Sequence, residues 1–236
     1  MPDLSVVISA LNEERTVKSV LNGVLSAFDR LGIRGEIIFL NNHSTDRTGE
    51  FADGAATKDA RVRIVHRSNR PDRDLGSSLR EGLSNARGDW VMIMDCDLSH
   101  DPAEMNRLWE KRGKADIIIG SRFVKGGRGD MPLSRQMISK TYNFAVQILL
   151  GVRCRDITTG FKLYRRAVFD RLKLTNTGFG LHVEILLKAV RAGFTTFEVP
   201  IYYRPSGKST LSYRRQFKNY VSPAIEAFIQ RLFRRK

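Results

Sequence analysis

The stretch Val91–His100, VMIMDCDLSH, decides the reading of this chain. An apolar, β-prone run ends in two aspartates, Asp95 and Asp97, one residue apart. An i, i+2 pair points to opposite faces while a strand continues. If the strand stops at Asp95, the turn after it brings both carboxylates to one point. Hard oxygen ligands suit Mg²⁺ or Mn²⁺, and Mg²⁺ is held by one or two carboxylates together with substrate phosphates. The same residues also fit a solvated turn before a helix beginning at Pro102, capped by His100 or Asp101.

Outward from this stretch, short apolar runs alternate with helical patterns. LSVVIS (4–9) precedes a segment in which Val17, Val20, Leu21, Val24 and Leu25 recur at helical spacing. EIIFL (36–40) reads as a buried strand, followed by a helix from Thr45 or Asp46. Then come strand VRIVH (62–66), helix 75–86, strand WVMIMD (90–95), helix 102–111 and strand DIIIGS (116–121). Strands joined by helix-length crossovers predict an α/β fold, a mostly parallel sheet with helices on both faces. Ligands in such sheets bind beyond the carboxyl ends of the strands, which puts Asn12, Asn41, Asn42, Asp95 and Asp97 on one rim. The second half is less regular: a Gly-rich loop VKGGRGDMP (124–132), a helix over 133–150, the segment DITTGFKLYRR (156–166), a helix over 181–193 and a strand TTFEVPIYY (195–203). No linker splits 1–212, so one domain is expected there, with 213–236 as an appended helix.

The 236 residues carry 40 Lys plus Arg against 25 Asp plus Glu, a net +15 that favours anionic partners. Nucleic acid, phosphorylated small molecules and acidic headgroups all qualify on charge alone. The two cysteines, Cys96 and Cys154, have no metal-ligand spacing and read as reduced thiols. No signal-peptide pattern opens the chain. The longest stretch without a charged side chain, Thr141–Val152, is 12 residues, short of the ~20 a spanning helix needs.

Taken in order, ALNEE (10–14), LNNHSTDRTG (40–49), MDCDLSHDPAEM (94–105), GSRFVKGG (120–127), DITTGFKLYRR (156–166), GFGLHVEILLKAVRAG (178–193) and EVPIYYRPSGKS (198–209) resemble family 2 glycosyltransferases of the GT-A fold. They are most similar to the polyprenyl-phosphate hexosyltransferase branch typified by dolichol-phosphate mannose synthase. The resemblance implies an inverting transfer of a hexose from a nucleotide sugar, GDP-mannose first, to a polyprenyl or dolichyl phosphate. It implies that Asp95 and Asp97 bind Mg²⁺ or Mn²⁺ bridging the donor diphosphate, with Ser99 where a further ligand sits. Ala10, Asn12, Glu13, Asn42, Asp46 and Cys96 fall in the donor-contacting set. The chain departs from the family at Ser9, Leu11, Asn41, Asn42 and His43, which leaves guanine and uracil both open. Asp74 stands before Leu75-Gly76 where the family has Lys-Gly.

A phosphate monoester is mostly dianionic at pH 7, so it needs no base, only cationic positioning. By the resemblance, Arg122, Arg135, Ser139 and Arg204 supply it, with Asp97 facing the reaction. Asp156 is expected to orient the sugar or cap a turn, and Glu184 to anchor a hydrogen-bond network. The alternatives are a UDP-sugar donor, with a polyprenyl phosphate or a glycolipid or polysaccharide hydroxyl as acceptor, and, outside enzymes, a basic nucleic-acid-binding protein. The last fits poorly, because the basic residues are spread and the sharpest motif is acidic.

From Phe217 onward, Tyr220, Val221, Ala224, Ile225, Phe228, Ile229 and Leu232 share one helical face flanked by Arg214, Arg215, Lys218, Arg231, Arg234, Arg235 and Lys236. A basic amphipathic helix of this kind predicts peripheral contact with a membrane, here its cytoplasmic face. The same apolar face also fits packing on the domain or on a small membrane-protein partner.

Overall fold

The computed structural model describes residues 1–72, 74–205 and 223–225. In chain order the elements are β1 (Leu4–Ala10), α1 (Val17–Leu31), β2 (Gly35–Asn41), α2 (Thr48–Lys58), β3 (Val62–His66), α3 (Leu75–Asn85), β4 (Trp90–Asp95), α4 (Met105–Glu110), β5 (Ile117–Ser121), β6 (Arg128–Gly129), α5 (Leu133–Leu150), β7 (Lys162–Arg165), α6 (Ala167–Arg171), α7 (Leu181–Arg191), β8 (Thr196–Pro200) and β9 (Tyr202–Tyr203).

Seven strands form one sheet in the order β3-β2-β1-β4-β7-β5-β8, and β6 pairs with β9 beside it. All neighbours in the large sheet run parallel except β7, which is antiparallel to both β4 and β5. The mostly parallel α/β reading therefore holds, with one reversal inserted beside the strand that carries the aspartates. Period-2 alternation feeds two apolar layers. Leu4, Val6, Ile8, Ile37, Phe39, Met92 and Met94 join α1, α2 and α4 in one layer. Val7, Ile38, Leu40, Val91 and Ile93 join α3 and α7 in the other. Each such fully buried aliphatic side chain contributes ~1.5–3 kcal/mol.

Several boundaries differ from expectation for local reasons. The second helix starts at Thr48, not Thr45 or Asp46, because Asp46 Oδ1 accepts from Thr48 N (2.9 Å) and Thr48 Oγ1 (2.5 Å) and thereby stops the helix from extending backward. The helix expected over 102–111 opens as a 3-10 turn, Pro102–Glu104, with Asp101 accepting from Ala103 N at 2.8 Å. The strand expected over 195–203 breaks after Pro200: Ile201 N turns to Ser121 O, and β9 then pairs with β6. The amphipathic helix expected over 213–236 lies outside the described residues apart from 223–225, which are helical.

Candidate active site

β1, β2 and β4 end side by side, and the loops leaving them build the rim. The first two loops are laced together: Asn12 N donates to Ser44 Oγ (3.0 Å), Thr45 N to Asn12 Oδ1 (2.8 Å), Glu13 N to Thr48 Oγ1 (2.7 Å) and Glu14 N to Asp46 Oδ2 (3.1 Å). Among the described residues three non-glycine residues adopt left-handed backbone, and those three lie here: Asn12 after β1 (φ 58°), His43 after β2 (φ 64°) and Leu98 after β4 (φ 58°). Such conformations cost of order 1–3 kcal/mol and gather at sites that need a fixed, unusual path. Asn and His accept that region more readily than Leu, so Leu98 marks where the chain is bent hardest, directly after Asp97.

That bend does what the Asp-x-Asp spacing requires. β4 stops at Asp95, the Asp97 carboxylate accepts from Ser99 N at 2.9 Å, and Ser99 O accepts from Arg204 N at 2.9 Å. The turn is thus tied to the end of β9. Burial raises the proton affinity of Asp95, and the neighbouring charges of Asp97 and Glu13 raise it further. Glu13 shifts the same way, by burial first, against a hydrogen bond from Thr16 and with Asp97 and Asp46 nearby. Asp95 forms no ion pair among the described residues. Carboxylates gathered at this strand end are a donor set that a hard divalent cation fits. Among the described residues no three His, Cys, Asp or Glu side chains converge as a metal cage.

The other expected donor contacts divide. Asn12 and Asp46 sit on the rim, and Asp46 is held below the ordinary carboxylate range: burial opposes its charge, but hydrogen bonds from Thr48 and Glu14 outweigh it. Asn42 is buried, with its Oδ1 receiving Arg67 Nη1 at 2.6 Å. Arg67, itself buried, also binds Asp72 (2.7 Å) and Glu81 (2.9 Å). Ala10 and Cys96 lie in the core layer under the rim, and burial pushes the Cys96 thiol up. Ser99 is buried beside Asp97.

The arginines are not equivalent. Arg122, expected to offer its fork to a phosphate, offers it to Asp156 instead: Nε to Oδ2 at 2.7 Å, Nη2 to Oδ1 at 2.6 Å, and its backbone N to Oδ2 at 2.9 Å. The pair is inside the protein, with side-chain exposures of 9% and 0%. Burial works against the Asp156 charge, but Arg122 holds its carboxyl below the usual range. Arg135 stands in the first turn of α5 with Ser139 one turn on, both half-buried. Arg204 is exposed, its guanidinium 4.4 Å from the Tyr202 ring. Glu184 has the anchoring role expected of it, accepting from Thr175 N, Thr175 Oγ1, Asn176 N and Lys188 Nζ.

Four residues outside the expected set complete the site. Burial raises the Tyr203 phenol, with Arg135 and Arg122 lowering it and Asp97 and Asp95 raising it; the Arg122 guanidinium lies 5.3 Å from its ring. His100 stacks on Phe161 at 4.8 Å and meets Tyr203 edge-on at 5.1 Å. His182, in the first turn of α7, is buried. A Cβ added to Gly160 would lie 3.3 Å from His182 Nε2 and 3.4 Å from Asp95 Oδ2, so glycine lets the acid and the imidazole approach there. Tyr203 precedes Arg204 in IYYR, and His100 closes the opening decapeptide; neither position carries a charge signal of its own.

Comparison with known proteins bears on the family and the fold. The family model described as "Glycosyl transferase family 2" matches residues 5–173. A polyprenol monophosphomannose synthase of Mycolicibacterium smegmatis is 34% identical over 88% of this chain and 80% of its own length. An undecaprenyl-phosphate mannosyltransferase of Micrococcus luteus is 36% identical over 75% of this chain and 76% of its own. Glycosyltransferase AglD of Haloferax volcanii is 30% identical over 97% of this chain, which spans only 37% of that protein. Among solved structures, glucosyl-3-phosphoglycerate synthase of Mycobacterium tuberculosis with Mn²⁺, UDP and glucosyl-3-phosphoglycerate superposes at TM-score 0.72, with 20% identity, over 96% of this chain and 80% of that one. The chain belongs to glycosyl transferase family 2.

Proposed function

We propose that this chain is an inverting hexosyltransferase that moves a hexose, mannose first, from a nucleotide sugar such as GDP-mannose to a polyprenyl phosphate at the cytoplasmic face of a membrane. The observation that carries the reading is the acidic end of β4, Asp95 and Asp97, whose following turn bridges through His100 to Tyr203, with Arg122 5.3 Å from the Tyr203 ring. The names of the Mycolicibacterium and Micrococcus relatives support mannose and a polyprenyl phosphate. Two free, buried cysteines suit a reducing compartment.

Asp95 and Asp97 would hold Mg²⁺ or Mn²⁺, which when bound neutralises charge on the departing nucleoside diphosphate. The laced loops of Asn12 and Asp46 give the nucleoside end a rigid frame, and Arg67 fixes Asn42 beneath it. An acceptor phosphate arrives as a dianion, so no residue has to take a proton from it. Arg135 and Arg204 would grip it, with Ser139 one turn from the first. Arg122 acts at one remove, locking the 155–159 loop against the Tyr203 segment through Asp156.

The test is Asp97→Asn, which keeps shape and removes charge. Sugar transfer is expected to fall at least ~10³-fold, equivalent to ~4 kcal/mol of barrier, with an unchanged thermal melt. A panel of GDP-mannose, UDP-glucose and UDP-amino sugars with a short polyprenyl phosphate, read by mass spectrometry of the organic phase, identifies the donor. Full turnover by the variant, or by the wild type in excess chelator, would sink the metal-assisted reading.

A further inference from the structure

His182 departs from the rule that a buried polar group finds its partners. It stands in the first turn of α7, 2% exposed, next to the buried apolar Leu181, Val183 and Ile185 of the same helix. Its Nδ1 has no hydrogen-bond partner. Its Nε2 faces Gly160, where an added Cβ would lie 3.3 Å from that nitrogen and 3.4 Å from Asp95 Oδ2. No ion pair joins His182 to Asp95 among the described residues, so the glycine leaves a gap between them. Burial and the charge of Lys162 disfavour imidazolium, and the ring carries one proton. A buried N–H without an acceptor is the rarer orphan, which puts that proton on Nε2, the nitrogen that looks across the gap at a carboxylate oxygen.

A donor on one side and an acceptor on the other select one class of occupant. A hydroxyl accepts from Nε2–H and donates its own proton to the carboxylate, and an oxygen slightly off the Cβ position reaches both at ~2.8 Å. The wall is fixed before anything binds. Lys162, fully buried, donates from Nζ to Ile157 O at 3.0 Å and to Thr159 O. Asn143 Oδ1 accepts from Ile157 N at 3.1 Å, and Arg122 Nη2 bonds to Thr158 Oγ1 at 3.1 Å. A preorganised wall lowers the cost of ordering a ligand against it. Gly160 and Asp95 are only half-buried, so the gap opens on the rim with His182 as its floor. A hexose hangs by one bond from the diphosphate assigned to the Asp95–Asp97 turn, which brings its ring to this gap.

We propose that Gly160, His182 Nε2 and Asp95 Oδ2 form a seat for one hydroxyl of the donor hexose, with His182 as a sugar-binding residue. This seat rests on the nucleotide-sugar reading and adds how the sugar, as distinct from the nucleotide, is recognised.

The experiment uses the full chain and three variants. Gly160→Ala puts a methyl group into the gap, at a glycine whose backbone is not left-handed. His182→Phe keeps a ring and removes the N–H, and His182→Gln restores a donor. Because Gly160→Ala leaves both partners in place, it decides the question even where His182→Phe melts early. Calorimetry with Mn²⁺ compares GDP with GDP-mannose, and UDP with UDP-glucose, for each protein. The sugar-bearing ligand is expected to lose about 10–100-fold in affinity in Gly160→Ala and His182→Phe, with the bare nucleotide unchanged and His182→Gln in between. Among donors lacking a single hexose hydroxyl, one is expected to cost the wild type a similar factor in kcat/KM and to cost His182→Phe nothing further. Equal losses for nucleotide and nucleotide sugar would mean that the substitutions disturb only the carboxylate. Full retention of both would mean that the gap holds a resident water. Either result overturns the proposal, as does a wild type indifferent to every deoxy donor. If no nucleotide binds with or without its sugar, the donor reading itself fails and the seat with it, an outcome distinct from a protein that binds the nucleotide and ignores the hexose.

Discussion

In the half built from β1 to β4, Val6, Ile8, Ile37 and Phe39 are buried, and on the rim Asn12 bonds to Ser44 and Thr45 while Asp46 accepts from Glu14 and Thr48. From β5 onward an apolar core (Ile117, Ile119, Leu163, Ile185) also takes in the charged or titratable Arg122, Asp156, Lys162 and His182, while Leu133, Met137, Phe144 and Ile148 of α5 face out. The first half also buries Arg67, among three partners at its edge, and Glu36, held by Ser5 and Arg63. Desolvated charges are weak contributors to stability, because lost hydration cancels most of their attraction. Their presence at the site, beside an outward apolar helix, teaches that the first half is organised as a conventional core with a nucleotide-facing rim. The second half gives up stability for a fixed arrangement of charge.

The largest effect expected from this contrast follows Asp156→Ala. Removing one partner leaves Arg122 buried and uncompensated, at a cost of ~3–5 kcal/mol, or roughly 6–20 °C in Tm for a chain of this size. Replacing both, Arg122→Met with Asp156→Leu, should recover most of that loss while turnover stays low, because the loop loses its register against Tyr203. Urea unfolding of the three proteins decides it. A single-variant loss under ~1 kcal/mol would show the pair to be solvated and the contrast between the halves to be spurious.

Next in size is an acid-side loss of stability. Burial first, then neighbouring positive charge, pushes the His182 pKa down to about 3, with Lys162 and His100 adding to it. His100 is likewise lowered to about 3, by burial and then Arg122. The unfolded chain takes up a proton on each near pH 6.5, whereas the folded one refuses it until about 3. Stability from these groups is therefore complete above 6.5 and lost as pH falls toward 3, by up to ~1.4 kcal/mol per pH unit for each histidine. Between pH 6.5 and 5, His182→Gln should lower the slope by up to ~1.4 kcal/mol per pH unit, measured against a wild type in which the raised Asp95 carboxyl contributes with the opposite sign. An unchanged slope would mean that His182 is already charged or solvated at neutral pH.

How much of this was legible depended on range along the chain. α5 runs over the expected 133–150 because Pro132 and a left-handed Gly151 (φ 68°) punctuate it. The rim was legible because strand ends carry it and the strands are apolar runs. The Arg122–Asp156 pairing spans 34 residues and leaves no local trace, so an arginine in GSRF reads as available for a phosphate. The reversal of β7 was hidden for a related reason: KLYR alternates as a strand whichever way it pairs. Periodicity in α5 reveals an apolar stripe and not whether it faces inward. Cys96, in the turn between two rim aspartates, is in the core, a placement set by the turn and not by strand alternation.

The smallest effect sharpens the comparison most, because it concerns the same residue type in the other half. Asp74 caps α3, accepting from Ser77 N at 2.7 Å, where the family resemblance leads one to expect Lys-Gly. The carboxylate satisfies one of the amides that a helix start leaves unpaired, and water can replace it when it is removed. Asp74→Ala should therefore cost ~1 kcal/mol and Asp74→Ser only part of that, a third or less of the loss at Asp156. α3 packs Leu79 and Leu83 on the β1–β2 layer, so urea midpoints of the whole chain read the loss directly. If the two alanine variants cost the same, position in the fold does not govern what an aspartate contributes here. The opposition between a solvated rim and a desolvated pair would then lose its physical basis.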